Sequence, residues 1–159
     1  MINAFLEYIK LERNYSDHTI LAYKNDLIDF KDFCVTEYNQ NNLQEVNYAQ
    51  IRTWIVSLVN RKLSNTSINR KVASLKSYYK FLQKIEEIEI NPLRKHKALK
   101  VQKSIQVPFT KEEINQVIEN VDNSDFTSIR NKLMVELFYS TGIRRAELIN
   151  LKENDVDFY

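Results

Sequence analysis

Glycine, proline and cysteine are scarce in this chain of 159 residues, which contains one glycine, two prolines and one cysteine. Sandwiches and small barrels need many more glycines and prolines at their tight turns, so the composition argues against these folds. The lone Cys34 cannot form an internal disulfide, and no cysteine or histidine cluster has the spacing of metal ligands. The composition therefore predicts helices joined by polar loops, no bound metal, and a reducing cytoplasm as the natural setting.

Long hydrophobic runs are also missing. No stretch approaches the roughly 20 apolar residues that a membrane-spanning helix needs. The opening segment Met1–Lys10 mixes polar and apolar residues and contains Glu7, unlike a secretory signal. We therefore expect neither a membrane span nor export. With 43% hydrophobic and 28% charged residues, the chain can bury the core of one large domain or two small ones.

Acidic side chains are missing from the middle of the chain, although the net charge is only +2. Residues 46–85 contain eight basic residues and no acidic one, and residues 91–108 contain five basic residues and no acidic one. Residues 1–45 hold four basic and eight acidic residues, and residues 109–159 hold six and ten. Such clustering is typical of a surface that binds a polyanion. A solvated basic face without a ligand is the competing interpretation.

Apolar residues recur at helical spacing along most of the chain and predict seven helices. N-capping side chains predict where several of them begin. These caps are Ser16 for the second helix, Asn47 for the third, Ser64 or Asn65 for the fourth, and Thr110 with Glu113 for the fifth. Gly142 suits the left-handed position that ends the sixth helix, and a short seventh helix begins near Arg145.

The pair Asn91–Pro92 interrupts the helical pattern, because a residue before proline avoids helical geometry. We therefore predict a helical domain over residues 1–90, a basic interdomain linker over 91–108 and a second domain over 109–159. Residues 155–159 alternate polar and apolar side chains, which predicts the beginning of a β-strand. Since a strand needs a partner and none follows, we expect the second domain to be truncated.

The fourth helix has a polar face opposite its apolar stripe. Small and hydroxyl-bearing side chains there would let the helix approach a DNA groove, and an arginine could reach phosphates or a guanine edge. A merely solvated face would more often carry glutamates paired with lysines, and this face has none. The predicted DNA-binding residues of this helix are Thr66, Asn69, Arg70, Ser74, Ser77 and Lys80.

The second helix gives a contrast, because Asp26, Asp29 and Asp32 would repel phosphates if they faced DNA. Only the first two turns of this helix could then approach the duplex. The predicted contacts from these turns are Thr19 and Lys24.

The segment Ser140–Leu148 reads Ser-Thr-Gly-Ile-Arg-Arg-Ala-Glu-Leu. It resembles the first catalytic-arginine box of the tyrosine recombinases, the family of phage integrases and Xer recombinases, whose pattern is Thr-Gly-x-Arg-x-Ser/Ala-Glu-Leu. The apolar run Leu133–Phe138 matches what precedes that box in the family. The N-terminal half looks like the family's core-type DNA-binding domain at Ser16, Thr19, Tyr23, Leu27 and Phe30, and again from Asn69-Arg70 to Phe81-Leu82. The likeness covers the whole chain and is closest to the Xer type.

This resemblance implies a four-helix, SAM-like DNA-binding domain, a linker, and the first helices of a truncated α+β catalytic domain, so that the part present is all-α. It makes Arg144 the first active-site arginine and Glu147 a residue that orients it. A guanidinium suits the role, because its planar fork can bond two phosphate oxygens. The family's lysine, His-x-x-Arg pair, further His or Trp, and tyrosine nucleophile are expected after residue 159. Tyr159 does not match the nucleophile's context.

The resemblance also implies an activity: one DNA strand is cleaved through a phosphotyrosine link and rejoined to another duplex, without metal or nucleotide cofactor. Implied partners are double-stranded DNA, other recombinase protomers in a tetrameric synapse, and a septal DNA translocase. The processes are DNA integration or chromosome partition at cell division. A non-catalytic helical DNA-binding regulator is the alternative, and a protein-interaction domain with an incidental basic face is a third.

Overall fold

The computed structural model describes residues 1–102, 105–121 and 125–157, and every regular element among them is helical. The helices are α1 (Ile2–Leu11), α2 (Asp17–Tyr38), α3 (Tyr48–Asn60), α4 (Asn65–Lys84), α5 (Lys111–Glu119), α6 (Phe126–Thr141) and α7 (Arg145–Ile149). Single 3-10 turns cover Leu43–Glu45 and Glu153–Asp155. The all-α prediction is therefore confirmed for the described residues. None of the helices in these ranges is long and apolar enough to cross a membrane.

The helices begin at the capping residues that the sequence predicted. The caps are Ser16, Asn47, Ser64 and Thr110, and each side chain accepts a hydrogen bond from the backbone N–H three residues later. Ser64 is the cap where the sequence left a choice between Ser64 and Asn65. Gly142 ends α6 with φ 65° and ψ 19°, the left-handed geometry expected of it.

The chain divides into two compact units, Met1–Lys103 and Ser104–Tyr159. In the first unit α4 contacts α1, α2 and α3. Aromatic rings fill the space between these helices: Trp54 meets Phe30 edge-on at 4.9 Å between ring centres, and Phe81 lies 5.6 Å from Phe5. The buried side chains of α4 are Ile68, Val72, Ser74, Leu75, Tyr78, Tyr79, Phe81 and Leu82. This helix therefore organises the core.

Residues 91–102, which we call the basic segment, belong to the first unit and pack against its helical core. Leu93 is 0% exposed and belongs to the core, and Leu99 packs against that core from its edge. Asn91 is buried as well, and its side-chain oxygen accepts a hydrogen bond from the Leu93 amide at 2.8 Å. The sequence predicted an interdomain linker from residue 91; the structure places the division between the two units at Lys103 and Ser104.

The second unit, taken by itself, is open. α5 packs on α6, and none of the described residues from 105 to 157 is buried. Apolar side chains line a groove along the two helices, among them Phe109, Val117, Val135 and Phe138. The apolar faces predicted from periodicity are present, but each remains partly or largely exposed.

The strand predicted at residue 155 is wrong for the described part of that segment. Glu153–Asp155 forms a 3-10 turn, in which the Asp155 amide donates to the Lys152 carbonyl at 2.9 Å. The Asp155 carboxylate also accepts from the Lys152 amide at 3.0 Å. These local bonds satisfy backbone groups that a strand could satisfy only through a partner. Phe158 and Tyr159 lie outside the described residues.

Burial of Leu93 predicts that the basic segment contributes to the stability of the first unit. Leu93→Ala should lower the free energy of unfolding by about 2–5 kcal/mol, as for other buried leucines. Ile90→Ala is the matched control, because Ile90 is 56% exposed and its truncation should change stability by less than about 0.5 kcal/mol. Denaturation followed by the fluorescence of Trp54, the only tryptophan, reports on this unit alone. Equal midpoints for the two variants would contradict the packing of the segment.

Candidate functional site

The exposed side of α4 carries four of the six polar residues of this helix that the sequence assigned to DNA. We call this surface the α4 face. It comprises Thr66, Arg70, Ala73, Ser77 and Lys80, all exposed except Ser77, which is half-buried. Ser77 also lies close to the Tyr23 hydroxyl of α2. The small side chains leave room for a close approach to α4, and the two cations give the surface positive charge.

One edge of the α4 face is fixed by a carboxylate buried between α2 and α4. Asp26 is 3% exposed and accepts two hydrogen bonds from Arg70, at 2.6 Å from Nη1 and 2.9 Å from Nη2. Ser74 donates to the same carboxylate at 2.7 Å, and Lys71 Nζ lies 3.3 Å from it. The sequence suggested that Asp26 would repel phosphates; the structure instead buries its carboxylate against donors of α4. The donors of α4 compensate the loss of water around this carboxylate.

Asp29, one turn further along α2, extends the network. Its carboxylate lies 3.0 Å from Lys71 Nζ and 3.1 Å from Arg61 Nη1. Burial raises the pKa of Asp29, but hydrogen bonds from Lys71 and Arg61 outweigh burial and bring the pKa below its usual value. Lys71 thus bridges two carboxylates. The ion pairs connect α2 with α4 and with Arg61 at the end of α3.

The network includes two residues that the sequence assigned to DNA. Ser74 is 2% exposed, and its hydroxyl donates to Asp26 inside the protein. Arg70 is also bonded to Asp26, but 53% of its side chain is exposed. It therefore remains accessible on the α4 face, held in one orientation.

The two contacts predicted from α2, Thr19 and Lys24, lie on different sides of that helix. Thr19 shares a hydrogen bond with the capping Ser16, 2.9 Å between the hydroxyl oxygens, and is half-buried. Lys24 is exposed but lies two residues before Asp26, about 200° around the helix at ~100° per residue. It lines a cavity with Met1 and Tyr78 instead. Lys24 is thus separated from Arg70.

The opposite edge of the α4 face is bordered by the basic segment. Asn69 donates from Nδ2 to the Leu99 carbonyl at 2.9 Å and accepts from the Leu99 amide at 2.9 Å. Asn65 donates to the Lys100 carbonyl at 2.8 Å. The predicted DNA contact Asn69 is therefore occupied by the protein's own backbone. Sequence reasoning missed Asn65, although the spacing of four residues places both amides on one side of α4.

The segment Ser140–Leu148 forms a compact turn between α6 and α7, which we call the arginine turn. The Gly142 amide donates to the Phe138 carbonyl at 3.0 Å, and the chain then leaves α6 in the left-handed conformation. Glu147 holds Arg144 twice: its carboxylate accepts from the Arg144 amide at 2.8 Å and from Nη1 at 2.9 Å. The Arg144 side chain is 83% exposed. The turn thus presents an oriented guanidinium that can bond an anion.

Comparisons with protein families match both units. Residues 2–85 match the phage integrase N-terminal SAM-like domain, and residues 108–159 match the phage integrase family. The tyrosine recombinases XerC of Staphylococcus aureus strains MRSA252 and MSSA476 are each 36% identical to this chain over 156 residues. The aligned region is 98% of this chain and 52% of each relative, so the chain spans about half the length of the curated relatives it matches.

Solved structures show the same fold. The integrase of transposon Tn1549, in complex with circular intermediate DNA, matches with a TM-score of 0.71 and 20% identity over 99% of this chain and 50% of that chain. An arginine-to-lysine variant of that integrase, also bound to a circular intermediate DNA, matches with a TM-score of 0.72 and 19% identity over 99% and 49%.

Burial of the Asp26 carboxylate predicts that replacing Asp26 lowers the free energy of unfolding more than replacing one of its donors. Asp26→Asn should lower the free energy of unfolding by about 3 kcal/mol or more, because it leaves Arg70 and Lys71 without their shared anion. Arg70→Ala should cost only about 1–2 kcal/mol, because Lys71 and Ser74 still satisfy Asp26. Asp32→Asn, an exposed aspartate on the same helix, is the matched control and should be neutral. If Asp26→Asn unfolded at the same urea concentration as Asp32→Asn, the carboxylate would not hold α2 to α4.

Proposed function

This chain belongs to the phage integrase family of tyrosine recombinases, and we propose from that premise that it is the DNA-binding N-terminal portion of a site-specific recombinase. The first unit binds duplex DNA, and the arginine turn supplies the first arginine of the active site. The observation that carries the proposal is the α4 face, where an oriented arginine and small side chains stand beside a segment rich in lysine.

Charge supports duplex DNA as the ligand. The first unit contains no acidic residue between 46 and 85, and the buried Asp26 points its charge at Arg70 and Lys71 rather than at the surface. Phosphates approaching the α4 face therefore meet Arg70 and Lys80 without a competing exposed carboxylate on α4. Thr66 and Ser77 can bond either phosphates or base edges. Asn69 is left out of this set because the basic segment occupies its amide.

Binding should depend steeply on salt. Neutralising about 5–8 phosphates gives a slope of about −4 to −7 in a plot of log affinity against log salt concentration. Lys80→Ala should weaken binding and make the slope shallower by about 1. Lys31→Ala is the matched control, since Lys31 is an exposed lysine of α2 on the side that lines the cavity with Lys24. Anisotropy titrations of a labelled duplex measure both quantities; a slope near zero would remove duplex DNA as the ligand.

In the second unit, Arg144 is proposed to bind the scissile phosphate. Its guanidinium offers two parallel donors to non-bridging oxygens and stays charged at any physiological pH. Glu147 orients this guanidinium through the bond at 2.9 Å and is not a base in the reaction. A fixed donor of this kind stabilises the negative charge on the phosphoryl oxygens of the phosphorane that forms as a tyrosine hydroxyl displaces the DNA oxygen.

The remaining parts of the function follow from family membership and are proposed with it. We propose that a helical DNA-binding domain over residues 1–90, a basic linker and a catalytic domain beginning near residue 109 act in one recombinase. Further catalytic-domain residues would cover the apolar groove of α5 and α6. The recombinase works in the cytoplasm as a tetramer on two duplexes, without metal or nucleotide, in chromosome partition or DNA integration.

Arg144 should be required for cleavage and not for binding. In a longer protein that includes the tyrosine nucleophile, Arg144→Ala should slow formation of the covalent protein–DNA adduct by about 10²–10³ and leave DNA affinity nearly unchanged. The matched control is Arg145→Ala, the exposed neighbour, which should keep at least a third of the rate. A nicked suicide substrate that traps the adduct on a denaturing gel provides the measurement.

The 159-residue chain by itself should form no adduct on the same substrate, because one arginine can orient a phosphate but cannot break it. An adduct formed by this chain would show that it contains the nucleophile and would overturn the expectation that the nucleophile lies after residue 159. Normal cleavage by the longer Arg144→Ala variant would remove Arg144 from the active site and favour a non-catalytic DNA-binding role.

A further inference from the structure

Two asparagines on one side of α4 form hydrogen bonds with the backbone of the basic segment. Asn69 pairs with Leu99 as one backbone strand pairs with another, donating to its carbonyl and accepting from its amide, both at 2.9 Å. Asn65, one helical turn earlier, donates to the next carbonyl, that of Lys100, at 2.8 Å. A side-chain amide that satisfies both polar groups of a peptide unit sets the register of that peptide as well as its position.

Three further contacts hold the earlier part of the segment. Leu93 is fully buried, and its amide donates a hydrogen bond to the Asn91 side-chain oxygen. The His96 Nδ1 lies 3.2 Å from the Tyr48 hydroxyl of α3. Burial and the nearby charge of Lys76 lower the pKa of His96, which favours the neutral ring. The segment is thus anchored at both ends.

The anchors also give the segment a direction. His96 lies near Lys76 of α4, whereas Leu99 and Lys100 lie at Asn69 and Asn65. The segment therefore runs antiparallel to α4 along one edge of the α4 face. Its cations alternate with the anchors and stay exposed; they are Arg94, Lys95, Lys97 and Lys100.

From this arrangement we infer that Asn69, with Asn65, is a positioning residue that docks the basic segment on α4 so that its lysines meet the DNA backbone in a fixed register. The inference rests on the proposed DNA binding of the first unit. It replaces a direct DNA contact at Asn69 with an indirect role. The physical gain is preorganisation: cations on a docked backbone lose less conformational freedom when they bind phosphates than cations on a free tether.

The experiment compares Asn69→Leu with wild type in two independent measurements on the 159-residue chain. The first is the exchange rate of the Leu99 amide, which should rise by about tenfold or more when its acceptor is removed. The second is affinity for a duplex, which should fall by about tenfold although no charge has changed. The matched control is Asn25→Leu, an exposed asparagine on α2, which should alter neither. Unchanged Trp54 fluorescence shows that the core is intact.

A double-mutant comparison separates positioning from a general loss of structure. Lys100→Ala should weaken binding about threefold in the wild type and much less in the Asn69→Leu background, because an undocked Lys100 no longer meets a defined phosphate. Asn65→Ala, which loses a single hydrogen bond and keeps Asn69, should give the same pattern at smaller amplitude. Additive losses would mean that Asn69 does not act through the segment.

The outcomes distinguish this inference from the proposed function. Faster exchange at Leu99 with unchanged affinity, or unchanged exchange, would overturn the positioning role while DNA binding stands. If wild type and every variant failed to bind duplex DNA, the proposed function would fall, and the positioning role with it. Faster exchange together with weaker, non-additive binding supports both.

Discussion

The first unit depends on a carboxylate placed between two long helices. Asp26 lies on α2, and the donors that satisfy it come from α4, 44 to 48 positions later in the chain. A carboxylate removed from water costs several kcal/mol unless it is paired and hydrogen-bonded. The two helices can therefore pack stably only in the register that brings Arg70, Lys71 and Ser74 to Asp26. The apolar core supplies most of the free energy of packing, and Asp26 selects the arrangement.

The same constraint determines which part of α4 remains available to a ligand. One side of the helix is buried in the aromatic core, a second faces Asp26, and a third is taken by the backbone of the basic segment through Asn65 and Asn69. What remains is the α4 face. Arg70 is held along one of its edges, and the basic segment is held along the other. Both groups of cations are fixed by residues that need not touch DNA. This suits the proposed role of the surface, which is to bind many phosphates with little loss of conformational freedom.

The second unit is organised differently, because its proposed functional feature, the arginine turn, is local. The arginine turn is held by hydrogen bonds between residues at most four positions apart, from Phe138 to Glu147. It therefore forms although none of the described residues around it is buried. The Glu147 carboxylate accepts hydrogen bonds from both the backbone amide and the guanidinium of Arg144. One carboxylate therefore sets the start of α7 and the orientation of the guanidinium.

The sequence alone determined the helices, their N-caps, the left-handed Gly142 and the family, because each depends on residues within a few positions of one another or on a short ordered motif. It predicted a polar face on α4 for the same reason. It could not determine which polar residues of that face are free. Ser74 and Asn69 were both predicted to contact DNA, yet their side chains bond to Asp26 and Leu99, which lie 48 and 30 positions away in the chain. Helical spacing shows on which side a residue lies, and only the tertiary structure decides what is packed against that side.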